Sequence, residues 1–113
     1  MKKDVLELSK GKTSAAATYD ELEFDRVPAG QLWCVQSGAI INRTTAYTKL
    51  QIFLRTGDID EELEEEPSPA AAELYWLDKE YYLREGQKLV ARLTGCASAD
   101  KLYGWLRGYR AEE

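Results

Sequence analysis

The sequence contains no histidine. That absence removes the Ser–His and Cys–His pairs that activate a nucleophile. It also removes the imidazole ligands of zinc and non-haem iron sites. Carboxylates remain as candidate acids and bases, but such a pair needs one carboxyl held in an apolar cleft. Seven of the nine residues from Asp58 to Glu66 are acidic, and a block of like charge is solvated rather than enclosed. The expectation is a protein that is not an enzyme and carries no cofactor.

Cysteine is scarce as well. Cys34 and Cys96 stand far apart with no C-x-x-C spacing, so neither a redox dithiol nor a zinc knuckle is indicated. Both are expected to be reduced, buried thiols. No apolar run approaches the roughly 20 residues that span a bilayer. The opening "MKKDVLELSKGK" has no apolar signal region, so a chain made and kept in the cytoplasm is expected. On the same ground the glycosylation sequon at Asn42–Thr44 is expected to stay unmodified. Basic charge is in the minority: 15 Lys and Arg against 20 Asp and Glu, for a net charge of −5. The cations are scattered, which argues against nucleic acid and against an anionic membrane surface as partners.

What the sequence does have is aromatic residues and period-two alternation. Three Trp, seven Tyr and two Phe are present. Leu22 and Phe24 alternate with Glu21, Glu23 and Asp25, the pattern of a half-buried strand. Pro28-Ala29-Gly30 makes a turn. In "QLWCVQSGAII", Trp33 and Val35 point one way and Leu32 and Cys34 the other, with Gly38 marking a bulge or bend. Leu50, Ile52 and Leu54 share one face of the next strand. Lys49, Gln51, Phe53 and Arg55 share its other face. Leu89, Ala91 and Leu93 repeat the pattern after an Arg84–Gln87 turn.

Turns every 8–12 residues favour an all-β antiparallel β-sandwich, jelly-roll-like. Residues 1–18 read as an N-terminal arm, although Val5, Leu6 and Leu8 could form a short strand. Residues 19–113 read as one sandwich domain, with a long exposed acidic loop over 58–70. A competing pattern, Leu74, Leu77 and Tyr81 at helical spacing, would make 70–88 a helix. Asp58, Asp60, Glu61 and Glu62 offer calcium-type donors, but without the EF-hand order.

The last strand, "KLYGWLRGYR", carries the sharpest signal. Leu102, Gly104, Leu106 and Gly108 make a core face. Lys101, Tyr103, Trp105, Arg107 and Tyr109 make the opposite face, whose composition is that of protein-interface hot spots. Tyr103, Trp105, Arg107 and Tyr109, with Val5, Leu6 and Leu8 of the arm, are therefore the candidate interface residues. A second grouping, Trp76, Tyr81 and Tyr82, would suit a sugar-stacking platform.

Four stretches together resemble small structural proteins of tailed-phage virions. They are "VPAGQLW" (27–33), "NRT" (42–44), "LREGQKL" (83–89) and "DKLYGWLRGY" (100–109). The resemblance covers about residues 24 to 110 and is a cadence of turns and strands more than a signature. It implies a jelly-roll-like capsid decoration (cement) protein on the virion exterior. Its partners would be the major capsid protein and copies of itself, as dimers or trimers. A minor tail or head–tail adaptor component and a carbohydrate-binding sandwich are the alternatives.

Overall fold

The structure, a computed structural model, describes residues 3–15 and 17–112. Among these there are nine strands and no helix: β1 (Lys3–Thr13), β2 (Tyr19–Glu23), β3 (Gln31–Asn42), β4 (Lys49–Thr56), β5 (Ile59–Pro67), β6 (Tyr75–Trp76), β7 (Tyr81–Leu83), β8 (Gln87–Thr94) and β9 (Lys101–Glu112). They form two antiparallel sheets. The first runs β1-β9-β3, with β6 and β7 both on the far edge of β3, and the second runs β2-β8-β4-β5. β6 pairs with Ala39–Ile40 and β7 with Trp33–Val35, so they lie end to end as one interrupted strand. Apart from the β4–β5 hairpin and the β6–β7 break, each connection passes to the other sheet. That is the eight-strand jelly roll expected from the alternation.

The core lies between the sheets. Leu22, Ile40, Leu50, Ile52, Leu89, Leu93, Leu102 and Leu106 are buried there. The two faces of β4 separate as the alternation requires, with Leu50 and Ile52 inward. Phe53 is nonetheless buried on the outer side, because the Arg92 guanidinium lies 4.6 Å over its ring.

Three expectations are corrected. The segment read as an arm contains β1, which pairs with β9 over eleven consecutive residues from Lys3–Ala111 to Thr13–Lys101. Leu6 is buried on its core face while Val5 is exposed. In its second half Lys10 and Lys12 follow Leu6 and Leu8 on the same side of β1, and their ammonium groups reach Asp25 at 3.2 Å and Asp20 at 3.5 Å, so this edge strand pairs there without apolar residues.

The acidic stretch read as a loop is β5, the edge of the second sheet. Its charge is offset by residues remote in sequence. Arg55 forks onto Asp60 (Nε–Oδ1, 2.6 Å) and Glu21, and Arg92 also reaches both. Lys49 lies 3.9 Å from Glu65. A bulge between Ile52 and Phe53 leaves Leu63 without a partner on β4, and Leu63 packs against the core.

The competing helical pattern over 70–88 does not form. Tyr75–Trp76 forms β6 and Tyr81–Leu83 forms β7. The bulge expected at Gly38 falls instead between Val35 and Ser37. Gly38 serves close packing, since a Cβ there would sit 2.7 Å from Leu106 Cδ2 and 2.8 Å from Trp105 O.

Candidate functional site

The outer face of the first sheet is where the aromatics gather. Register fixes which residues share it, because directly paired residues point the same way. β9 pairs with β1 on one side and β3 on the other, and β3 pairs onward with β6 and β7. One cross-strand row is therefore Val5–Tyr109–Cys34–Tyr82. Two steps along is Ser9–Trp105–Ala39–Trp76. Beyond that lies Gly11–Tyr103–Ile41. Val5, Trp76 and Tyr82 are 70%, 55% and 61% exposed, so three large apolar side chains are bared on one face.

The rings interlock. Trp76 and Trp105 meet edge to face with centroids 5.3 Å apart, a favoured aromatic geometry. Arg107 lies 4.9 Å over the Trp105 ring and Arg43 5.5 Å over Tyr103. Among the described residues neither guanidinium has a carboxylate within ion-pair reach. Cys34 is a buried free thiol beneath Tyr82 and Tyr109. Its hydrogen bond, then burial and the neighbouring Tyr82, push the Tyr109 phenol up to about 12.

Of the residues expected at an interface, the structure brings Tyr103, Trp105, Arg107, Tyr109 and Val5 onto this one face. Leu6 and Leu8 pair with Gly108 and Leu106 and point inward; Leu6 is buried core and Leu8 packs on it. The sugar-platform grouping divides. Trp76 and Tyr82 join the outer face, and Tyr81 turns inward opposite Val35. The tyrosine turns in because Glu64 on β5 accepts its hydroxyl, together with the Tyr75 hydroxyl at 2.5 Å and the Asp78 amide at 3.0 Å. Burial and this carboxylate raise both phenols well above the ordinary tyrosine range. The contribution of Trp76 and Tyr82 to the Trp105 face was not legible from β9 alone; only the register of β6 and β7 on β3 supplies it.

Two depressions flank the Trp pair. One, of about 230 Å³, is lined by Glu7, Ser9, Tyr103, Trp105 and Arg107. The other, of about 380 Å³, is lined by Glu65, Glu66, Tyr75, Trp76, Asp78 and Lys79 between the edges of the two sheets. The calcium-type donors do not converge. Asp60 is held by Arg55 and Arg92, and the Arg55 hydrogen bond keeps its carboxyl below the usual range. Among the described residues no three metal-binding side chains cluster.

The motif "NRT" has a structural role. The Asn42 carboxamide accepts from the Thr44 and Thr45 amides and donates to Asp100 Oδ2 at 2.9 Å. Thr45 Oγ1 and the Ala97 amide also donate to that oxygen. Burial opposes ionisation of Asp100, but these three donors outweigh it and hold its pKa below the ordinary value. The network ties the β3–β4 and β8–β9 loops together beneath the jelly roll.

No family model matches the chain, and no curated protein matches its sequence. Solved structures do share its fold. The protein of the disulfide-linked pili of Bacillus endospore appendages superposes with a TM-score of 0.57 at 14% identity, covering 97% of this chain and 88% of that one. Murine APRIL superposes with a TM-score of 0.58 at 11% identity, covering 95% of this chain and 100% of that one. A putative α-L-fucosidase from Bacteroides thetaiotaomicron gives 0.51 at 11% identity, with 88% of this chain matching 21% of that one. At such identities the likeness is one of fold.

Proposed function

We propose that this chain is a virion structural protein that decorates and cements the capsid of a tailed phage. It would bind the major capsid protein through the outer face of its first sheet, on the virion exterior. The observation that carries the reading is that face: Val5, Trp76, Tyr82, Trp105 and Tyr109 displayed together on a stiff sheet. Aromatic anchors ringed by arginine are the composition of binding hot spots. A stiff jelly roll with such a face can hold subunits together without catalytic chemistry, which accords with a non-enzymatic role. The resemblance of residues 24 to 110 to tailed-phage structural proteins supplies the particular partner. The test is co-sedimentation of the purified chain with capsids of the virus that encodes it. Saturable binding is expected, weakened by Tyr82→Ala or Tyr109→Ala. Failure of the wild-type chain to pellet with capsids would overturn the reading.

A carbohydrate-binding role has one observation in its favour, the exposed Trp76 ring between two polar depressions. Titration of a glycan panel against the Trp76 fluorescence of a Trp33→Phe, Trp105→Phe variant separates the two readings.

A further inference from the structure

The order of features across the Trp ridge points to a partner. On one side of Trp76 lies the depression containing Glu65, Glu66 and Asp78. Trp76 touches Trp105 edge to face. On the far side of Trp105 lies the second depression, with Arg107 stacked on the indole. The face therefore reads acid, Trp, Trp, base. A second copy turned over about an axis lying in this face, perpendicular to the row, presents it with base, Trp, Trp, acid. Such a surface is complementary to itself, which is the requirement of an isologous two-fold contact.

Both charged ends are underused within the chain. Glu7 is the cross-strand neighbour of Arg107, yet the guanidinium stacks on Trp105 and forms no ion pair among the described residues. Glu66 and the Asp78 carboxylate likewise have no cationic partner among the described residues. Glu65 has only Lys49 at 3.9 Å. Lys79 at the rim offsets part of the negative charge of its depression. The neighbouring Glu64 is already committed to Tyr75, Tyr81 and the Asp78 amide; it fixes the wall of the depression and is not available to a partner.

We infer that the Trp76–Trp105 ridge is the centre of a two-fold dimer of this chain. Arg107 of each copy enters the acidic depression of the other, and the four indoles pack at the axis. A central aromatic cluster inside a charged rim is the arrangement in which truncation of one anchor costs most. The charges set register and encounter rate, so the contact weakens with salt. The Val5–Tyr109–Tyr82 row lies on the same face, two steps away along the strands and outside the Trp ridge. This inference rests on the reading of the outer face as an interface, and it names one occupant of it.

The test is sedimentation velocity of the full chain over a concentration series, with far-UV circular dichroism to confirm folding. The wild type is expected to dimerise, and Trp76→Ala to raise the dissociation constant by more than about tenfold. Arg107→Glu alone, and the triple variant Glu65→Lys, Glu66→Lys, Asp78→Lys alone, are each expected to be monomeric. Mixed one to one, they should form a heterodimer, because every reversed charge then meets its opposite. A wild type that stays monomeric at all concentrations would overturn the inference. So would a dimer indifferent to these changes, or one whose two charge variants fail to combine. Capsid binding by a chain that stays monomeric would sink the dimer and leave the proposed function standing. A charge-dependent dimer that ignores capsids would do the reverse.

Discussion

Gly108 shows how one atom can decide the fold. A Cβ there would sit 1.8 Å from the Cys34 carbonyl oxygen and 2.9 Å from its carbon. That oxygen belongs to the backbone of the neighbouring strand and cannot swing away. Gly108→Ala is expected to force β9 off β3 at the bulge and to cost about 3 kcal/mol or more, read as a fall in urea midpoint or a loss of soluble protein. Asp100 is the polar counterpart. Asp100→Ala leaves Asn42, Thr45 and the Ala97 amide without their shared acceptor. Its cost is expected at roughly 2–3 kcal/mol, with little effect on binding through the Val5–Tyr109–Tyr82 row at the other end of the strands. Trp105→Ala should behave oppositely. The ring is only half-buried and packs on Trp76 and Arg107 rather than in the core, so capsid attachment is expected to fall further than the urea midpoint does.

Among the elements, β9 was the most legible from sequence and β5 the least. In β9 the alternation of Leu102, Gly104 and Leu106 with Tyr103, Trp105 and Arg107 appears unchanged as the buried and half-exposed faces of a central strand. β5 was hidden because what makes it a strand lies elsewhere. Arg55 on β4 and Arg92 on β8 neutralise Asp60 and, with it, Glu21 of β2. Glu64 is fixed by phenols on β6 and β7. Read alone, the run is seven mutually repelling acids; read across the sheet, much of that charge is answered. β1 was half-legible, since Val5, Leu6 and Leu8 gave the alternation but the polar stretch after them gave no sign of pairing. β1 covers one edge of β9 from Lys101 to Ala111. A chain lacking residues 1–13 would expose that edge and the Leu102–Leu106 face, and is expected to aggregate where the full chain stays dispersed, as followed by light scattering.

The molecule as a whole should lose stability at both ends of the pH scale. Asp100, Asp60 and Glu23 have carboxyls held below their ordinary values. Burial opposes this at Asp100 and its hydrogen bonds overcome it, while Arg55 and Lys88 lead at Asp60 and Glu23. Groups with depressed folded pKa stabilise the fold above their unfolded value and lose that contribution as pH falls. Stability is therefore expected to decline below about pH 4. Tyr47, Tyr75 and Tyr81 are raised, chiefly by burial. Their contribution is complete below the unfolded phenol value and is lost as pH climbs past about 10. Urea midpoints measured from pH 2 to 11 should trace a plateau with both shoulders.

At this scale the jelly roll itself was readable, because spacing of turns and period-two faces constrain it. The assembled aromatic face was not, because Trp76, Tyr82, Trp105 and Val5 come from four strands whose pairing only the fold reveals. The role proposed for this face is to fasten the chain to a capsid exterior. The most direct measurement is a reconstruction of purified virions of the encoding virus, with the chain located and its copies counted. Density for this jelly roll is expected to repeat over the outer capsid lattice, with the Val5–Tyr109–Tyr82 row against the major capsid protein. Absence of the chain from the particle, or a few copies confined to the tail, would contradict it.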